Sequence, residues 1–444
     1  MTRNLRSLIA AKSSATSVIQ TLLVKVFLVV VSLATGIITA RSFGPAGRGE
    51  QSAIGLWPWL TVGLATFGVV SALRYHTSRQ LPRGPGFLAA ACIIATAAGL
   101  CGACAAALFM PVLLGNRYSL PIIRDAQHVV FFAPVLLIFL VFRAYLEANG
   151  KFKSSNFNAL ISPLVGVAAL LALRAFHALT PVTANLAIFV PVALQSLWIG
   201  FGLRTTLFVR HANLVHNILT LLSYGIKSYG SDILGILSLQ ADQAVIVAFL
   251  SPASLGLYTV ALTASRTTNI IQESLNNVLF PKASGLEPAA AIELVRRIAR
   301  VSTAVSGTII LILMMIVPIV LPIFYGARFG EAAKLTQILM LEAFFGGTAS
   351  VCMQGFLASG RPALMTLIQG CWLASSITLL IFLVPRLGLP GAAISLVVSS
   401  LIRLALVLTA YPLALKAKVP RLVPTRADFA MIYGRLLGLV SQKT

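Results

Sequence analysis

The sequence predicts an all-α polytopic membrane protein of twelve transmembrane helices in two pseudo-symmetric six-helix lobes. Three observations carry that expectation. Of 444 residues 58% are hydrophobic and only 10% charged, whereas soluble proteins have roughly 45–50% apolar and about 25% charged residues. Apolar runs of about 20 residues, the length needed to cross a bilayer, recur from one end of the chain to the other. Third, the cations fall mostly in the short segments between those runs.

The runs are placed at roughly 18–40, 51–73, 87–110, 126–146, 157–178, 182–203, 229–250, 255–280, 301–324, 335–358, 364–384 and 390–413. Arg3, Arg6 and Lys12 precede the first run as they would in a signal peptide. The run continues to about Ala40 without a clear cleavage box, so it reads as a retained first helix. Pro58, Pro134, Pro163, Pro191 and Pro318 lie inside spans and predict kinks.

Charge fixes the orientation. The chain has 34 Lys and Arg against 11 Asp and Glu, a net +23, which in a soluble protein would suggest nucleic acid. With a cytoplasmic N-terminus and twelve spans, 23 cations fall in inner segments and 8 in outer ones, leaving Lys25, Arg266 and Arg403 within spans. That asymmetry is the positive-inside bias of an inner-membrane protein, with both termini cytoplasmic and no nucleic-acid partner. The domain expectation is an N-terminal lobe over 1–203, an interfacial linker over 204–228, a C-terminal lobe over 229–413 and an amphipathic tail over 414–444. Leu214, Val215, Ile218, Leu219 and Leu222 in the linker, and Phe429, Ile432, Tyr433, Leu436 and Val440 in the tail, have the spacing of helices lying at the membrane surface.

An internal echo supports two related halves. The stretch Arg41 to Gly49 follows span one and Leu250 to Tyr258 follows span seven, with Pro45 and Pro252, and Gly49 and Gly256, each 207 residues apart. Related halves are the construction expected of an alternating-access transporter.

Ionisable residues embedded in apolar sequence are functional candidates, because each must face the protein interior or an aqueous cavity. Lys25, Arg74, Arg266 and Arg403 are candidates to line a cationic cavity that receives an anionic headgroup. Asp242, Glu273 and Glu342 are candidates for proton or sodium coupling. The competing reading pairs them as helix-to-helix glue, for instance Arg266 with Asp242 or Glu273. Cations outnumber acids in this set, which favours a cavity with spare positive charge. Gln195, Gln337, Gln354 and Gln369 add neutral donors.

Enzymatic patterns do not emerge. His76, His128, His177, His211 and His216 are scattered, and His211 and His216 are five apart, a poor spacing for one helical face. The cysteines at 92, 101, 104, 352 and 371 sit in apolar stretches and form no useful zinc or disulfide spacing. The chain carries neither a phosphate-binding glycine loop nor HExxH. Neither an enzymatic activity nor a bound cofactor is expected.

The chain from about Thr16 to Leu413 resembles the bacterial polysaccharide flippases of the multidrug, oligosaccharidyl-lipid and polysaccharide exporter superfamily. The matching pieces are Thr39 to Pro45 with Gly47 and Gly49, Asp242-Gln243 leading to Leu255-Gly256-Leu257-Tyr258, Val278 to Lys282, Phe324-Tyr325-Gly326 with Phe329, Ala358 to Pro362, and Leu387 to Ala393. The resemblance implies two six-helix lobes that rock between inward-open and outward-open states, a MATE-like fold. It implies an undecaprenyl-pyrophosphate-linked oligosaccharide as cargo for O-antigen, capsule or exopolysaccharide synthesis, with membrane lipids, a polysaccharide polymerase and assembly proteins as partners. Twelve spans rather than fourteen count against the peptidoglycan precursor lipid II. The alternative is a multidrug or other lipid exporter of the same superfamily, although drug exporters rely on embedded acids and the balance here is positive.

Overall fold

A computed structural model describes residues 2–79, 84–115, 117–207, 213–269 and 286–422, together with Gln272, Asn276 and Leu279. The described residues are helical with short connections. Ten of the helices are long and apolar enough to cross a membrane. The expected spans one and two count once because they form a single helical run, and span eight is not counted because most of its second half lies outside the described residues.

That first run, α1 (Thr2–Ala65), consists of two segments meeting at a kink at Gly44, whose φ of 67° lies in the left-handed region. Glycine enters that region without the steric cost a side chain would add, and Pro45 next to it withdraws a backbone donor, so the sequence itself sets the turn here. Span two was expected to run unbroken to residue 73, but the helix stops at Ala65. Phe67 (φ 40°) and Gly68 (φ 69°) both take left-handed conformations, and α2 (Val69–Arg79) begins anew. A broken helix at membrane depth needs its freed carbonyls satisfied. Tyr229 Oη donates to the Leu64 carbonyl at 2.5 Å and the Val69 amide to that of Thr66 at 2.8 Å.

The chain continues through α3 (Gly84–Leu114), then α4 (Leu120–Val129), a short tight turn at Val130–Phe132 and α5 (Ala133–Ala148), which together make one span. Next come α6 (Phe152–Ala175) and α7 (Pro181–Gly202). The start of α7 is written locally. Thr180 accepts from the Thr183 amide while the Thr183 side chain accepts from the Thr180 amide, and Pro181 occupies the first turn where no donor is missed.

The expected interfacial linker takes a different form. From Leu214 it is helical and continuous with span seven as α8 (Leu214–Phe249), 36 residues and so about 54 Å long. Asn217 and Leu221 are the buried positions of its first turns, whereas Val215 and Leu219 of the expected apolar face are exposed and Leu214, Ile218 and Leu222 are half-buried, so that face is left open. Beyond α9 (Pro252–Arg266), α10 (Pro288–Tyr325) also begins well before its apolar core, and its 38 residues exceed the roughly 30 Å of hydrocarbon. Its extra turns hold Glu293 and Arg296, paired at 2.5 Å. The chain ends its helical part with α11 (Ala332–Ala358), α12 (Pro362–Leu387) and α13 (Leu389–Leu415). The amphipathic pattern from Phe429 to Val440 lies outside the described residues.

Two compact units divide the chain. The first comprises residues 1–260 with 324–329, the second 261–323 with 330–444. Within the first, α6 and α7 are joined by a buried polar network. Gln195 accepts from Ser162 and donates to the Asn158 carbonyl at 2.7 Å. The second unit packs Val295 and Ala299 of α10 against Cys352 and Phe356 of α11 and Val407 and Tyr411 of α13. Tyr411 Oη donates to the Cys352 carbonyl at 2.7 Å, so the buried phenol is satisfied. Small residues and interhelical hydrogen bonds at such contacts are what hold helices together where water exclusion between them contributes little.

Candidate functional site

Asp242 is the most deeply placed of the candidate acids described. It lies on α8 with 6% exposure, and two donors converge on its carboxylate. Tyr258 Oη, on α9 and wholly buried, donates to Oδ2 at 2.5 Å, and the Gln243 amide donates to Oδ1 at 2.8 Å. A carboxylate at this depth is tolerable because its lone pairs are met by such donors. Tyr258 figures in the sequence as part of the internal echo and of the stretch that resembles the flippases, but not as a partner of Asp242. Its role depends on how α8 and α9 fold back on each other, which spacing alone does not reveal.

The second unit brings two candidates together. Glu342 on α11 accepts from Ser400 Oγ on α13 at 3.0 Å and lies within electrostatic reach of Arg403, one turn further along α13. The Arg403 guanidinium stands over the Trp372 ring of α12, 5.0 Å from its centroid, and its Nη2 reaches Met353 Sδ at 3.4 Å. Its Nε is buried without a hydrogen-bond partner among the described residues. An arginine held by a ring face and a thioether keeps donor capacity that a bidentate carboxylate would consume. Gln272, also in this unit and 3% exposed, has both amide atoms buried and without a hydrogen-bond partner.

Arg74 stands differently. Midway along α2 it is half exposed and forms an ion pair with Glu147 of α5 at 2.9 Å. The same carboxylate takes Arg143 at 3.6 Å and the Ser155 hydroxyl at 3.0 Å. Glu147 escaped attention in the sequence, although Arg143 four residues before it has the spacing of a helical ion pair. A similar latch joins α2 to α8, where Ser71 Oγ lies 3.1 Å from each carboxylate oxygen of Asp232. Above it the Phe67 and Tyr229 rings lie 5.4 Å apart.

Lys25 is exposed on the first segment of α1, and Arg266 is half buried in the last turn of α9. Glu273 lies outside the described residues. Among the described residues no group of three or more His, Cys, Asp or Glu side chains could hold a metal ion.

Comparison with solved structures identifies the architecture. A lipid II flippase, MurJ, in an inward closed conformation superposes with a TM-score of 0.70 at 15% identity, over 88% of this chain and 87% of that one. An inward-facing multidrug resistance MATE family transporter of the MOP superfamily gives 0.68 at 14% identity, over 89% and 94%. A MOP superfamily transporter from Pyrococcus furiosus, described as having a binding pocket of reversed polarity, gives 0.54 at 13% identity, over 90% and 94%. At such identities the likeness concerns the fold alone, which is MATE- and MurJ-like, and with its apolar helices the chain is a multi-pass membrane protein. Curated protein sequences give no match. A family profile described as polysaccharide biosynthesis protein matches residues 64–334, more than half of the chain. With that match the chain belongs to the polysaccharide biosynthesis protein family.

Proposed function

We propose that this protein is a flippase for lipid-linked oligosaccharides. It carries undecaprenyl-pyrophosphate-linked repeat units from the cytoplasmic to the periplasmic leaflet of the bacterial inner membrane, for O-antigen, capsule or exopolysaccharide assembly. The observation that supports this reading most is the family match over residues 64–334 in a chain with a transporter fold. The work is divided between six-helix halves at 1–203 and 229–413, which alternate access to the two sides, with both termini in the cytoplasm. Cargo passes to a polymerase and assembly proteins outside.

The chemistry of the headgroup agrees with the donors available. Pyrophosphate is a dense anionic acceptor, and a guanidinium offers a rigid fork of donors with little tendency to lose its proton. Arg403, with a buried Nε awaiting an acceptor, is suited to it, and Arg266 and Lys25 extend the cationic set. Arg74 contributes through Glu147, so its first role is to hold α2 to α5. Asp242, helped by Glu342, couples the transition to entry of a proton or sodium ion.

The test is made in cells. Depletion of the protein should leave synthesis of the lipid-linked repeat unit intact while the unit accumulates where a membrane-impermeant sugar oxidant cannot reach it. Accumulation of unprocessed precursor in the accessible leaflet would contradict the proposal. Export of drugs is the second reading, favoured by the likeness to a multidrug transporter. Loss of cation-drug resistance on depletion, with glycan export unchanged, would select it.

A further inference from the structure

Residues 207 positions apart touch one another in this structure. A Cβ built on Gly49 would overlap the Pro252 carbonyl oxygen and lie 3.0 Å from the Gly256 nitrogen. A Cβ on Gly256 would overlap the Pro45 carbonyl oxygen and lie 3.0 Å from the Gly49 nitrogen. One turn further on, Ser52 Oγ donates to Thr259 Oγ1 at 3.3 Å. Pro45 and Pro252, Gly49 and Gly256, and Ser52 and Thr259 are all related by the same offset. The contact is thus reciprocal, as at an isologous interface, and a local two-fold axis passes between the second segment of α1 and the start of α9.

The form of this contact suits a joint that opens. Backbone meets backbone with no side chain between the two glycines, which makes a tight closure. The hydrogen bond beside it joins two neutral hydroxyls, a weaker class of interaction than a bond to a charged group. A permanent joint can use interlocking side chains, whereas here both positions that meet most closely are glycine. By the cation distribution, these helix starts lie at the outer membrane face.

We propose that the Gly49–Gly256 contact is the outer closure of the transport path, a seam that parts each time the protein opens outward. Gly49 and Gly256 let it shut, and Ser52 and Thr259 hold it shut. The proposal rests on the transport reading above.

The test uses the full chain with its five native cysteines replaced and the pair Ser52→Cys, Thr259→Cys introduced. Mild oxidation should give a disulfide in high yield. The cross-linked protein should lose about tenfold or more of its flipping of lipid-linked oligosaccharide in proteoliposomes, and reductant should restore it. A cross-linked protein that flips at the rate of the reduced one would overturn the proposal. If the reduced protein and the parent both fail to flip any lipid-linked oligosaccharide, the cargo assignment fails, and labelling decides the seam by itself. A membrane-impermeant maleimide should label the single variant Ser52→Cys slowly in cells, and adding Gly256→Ala should speed that labelling severalfold by holding the helix starts apart. Equal labelling with and without Gly256→Ala would mean a fixed joint and would overturn the proposal.

Discussion

Removing the Tyr258 hydroxyl isolates the interaction on which burial of Asp242 depends. Tyr258→Phe keeps the ring in its wholly buried site and deletes only the donor to Oδ2, which now sits at 2.5 Å. A hydrogen bond to an ionised group contributes about 1.5–3 kcal/mol, against about 0.5–1.5 kcal/mol between neutral groups. Interhelical hydrogen bonds in membrane proteins average only about 0.6 kcal/mol. A double-mutant cycle over Tyr258→Phe, Asp242→Ala and the double variant should therefore give a coupling energy of about 1.5–3 kcal/mol for a bond to a carboxylate. The assay is reversible unfolding in mixed micelles at fixed pH, where such a coupling is well above experimental scatter. A coupling near the neutral average would refute the claim that a buried carboxylate is being stabilised by this phenol.

The α6–α7 network should be weaker. Gln195→Leu removes both its bond from Ser162 and its bond to Asn158, and should cost about 1–2 kcal/mol in the same unfolding assay, with packing of the replacement offsetting part. His76, stacked on Phe87 and edge-on to Tyr224, is held below its ordinary pKa by burial, so the unfolded chain takes up the proton more readily. Stability should be unaffected by this residue well above pH 6.5 and should fall as the pH drops below about 6.5, the ordinary imidazole value. In His76→Phe that extra slope should vanish from a pH series of unfolding midpoints. Tags placed after Lys153 and at Thr444 should report cytoplasm, while tags near Asn116 and Arg328 should report periplasm. A periplasmic reading at Thr444 would remove the twelve-span arrangement.

Much of the fold is legible because bilayer thickness imposes a length on apolar runs, and the spans read from 87–110 onward agree with helices such as α3, α11 and α13. Two features were not legible. The break at Phe67 and Gly68 occurs in sequence as apolar as its surroundings, and it is held by Tyr229, a residue 162 positions away from Phe67. The continuity of the linker with span seven escaped because a helix lying at the surface and a helix running on from a span have the same amphipathic spacing. The site was read unevenly for a related reason. Embedded charge marks Asp242, Glu342 and Arg403 directly, whereas their partners Tyr258, Ser400 and Trp372 are ordinary membrane-helix residues that only helix pairing brings to them. The pairing of Arg74 with Glu147 could not be read from spacing, because the two are 73 positions apart.

The central claim is that this chain moves an anionic lipid-linked glycan, and it is tested most directly in proteoliposomes. Purified protein is reconstituted with a defined set of undecaprenyl-pyrophosphate oligosaccharides, and exposure of the sugar on the opposite leaflet is followed by accessibility to an impermeant lectin. The account predicts protein-dependent exposure that falls sharply in Arg403→Ala while that variant remains inserted and folded. Exposure no faster than in protein-free vesicles across the whole set would contradict it.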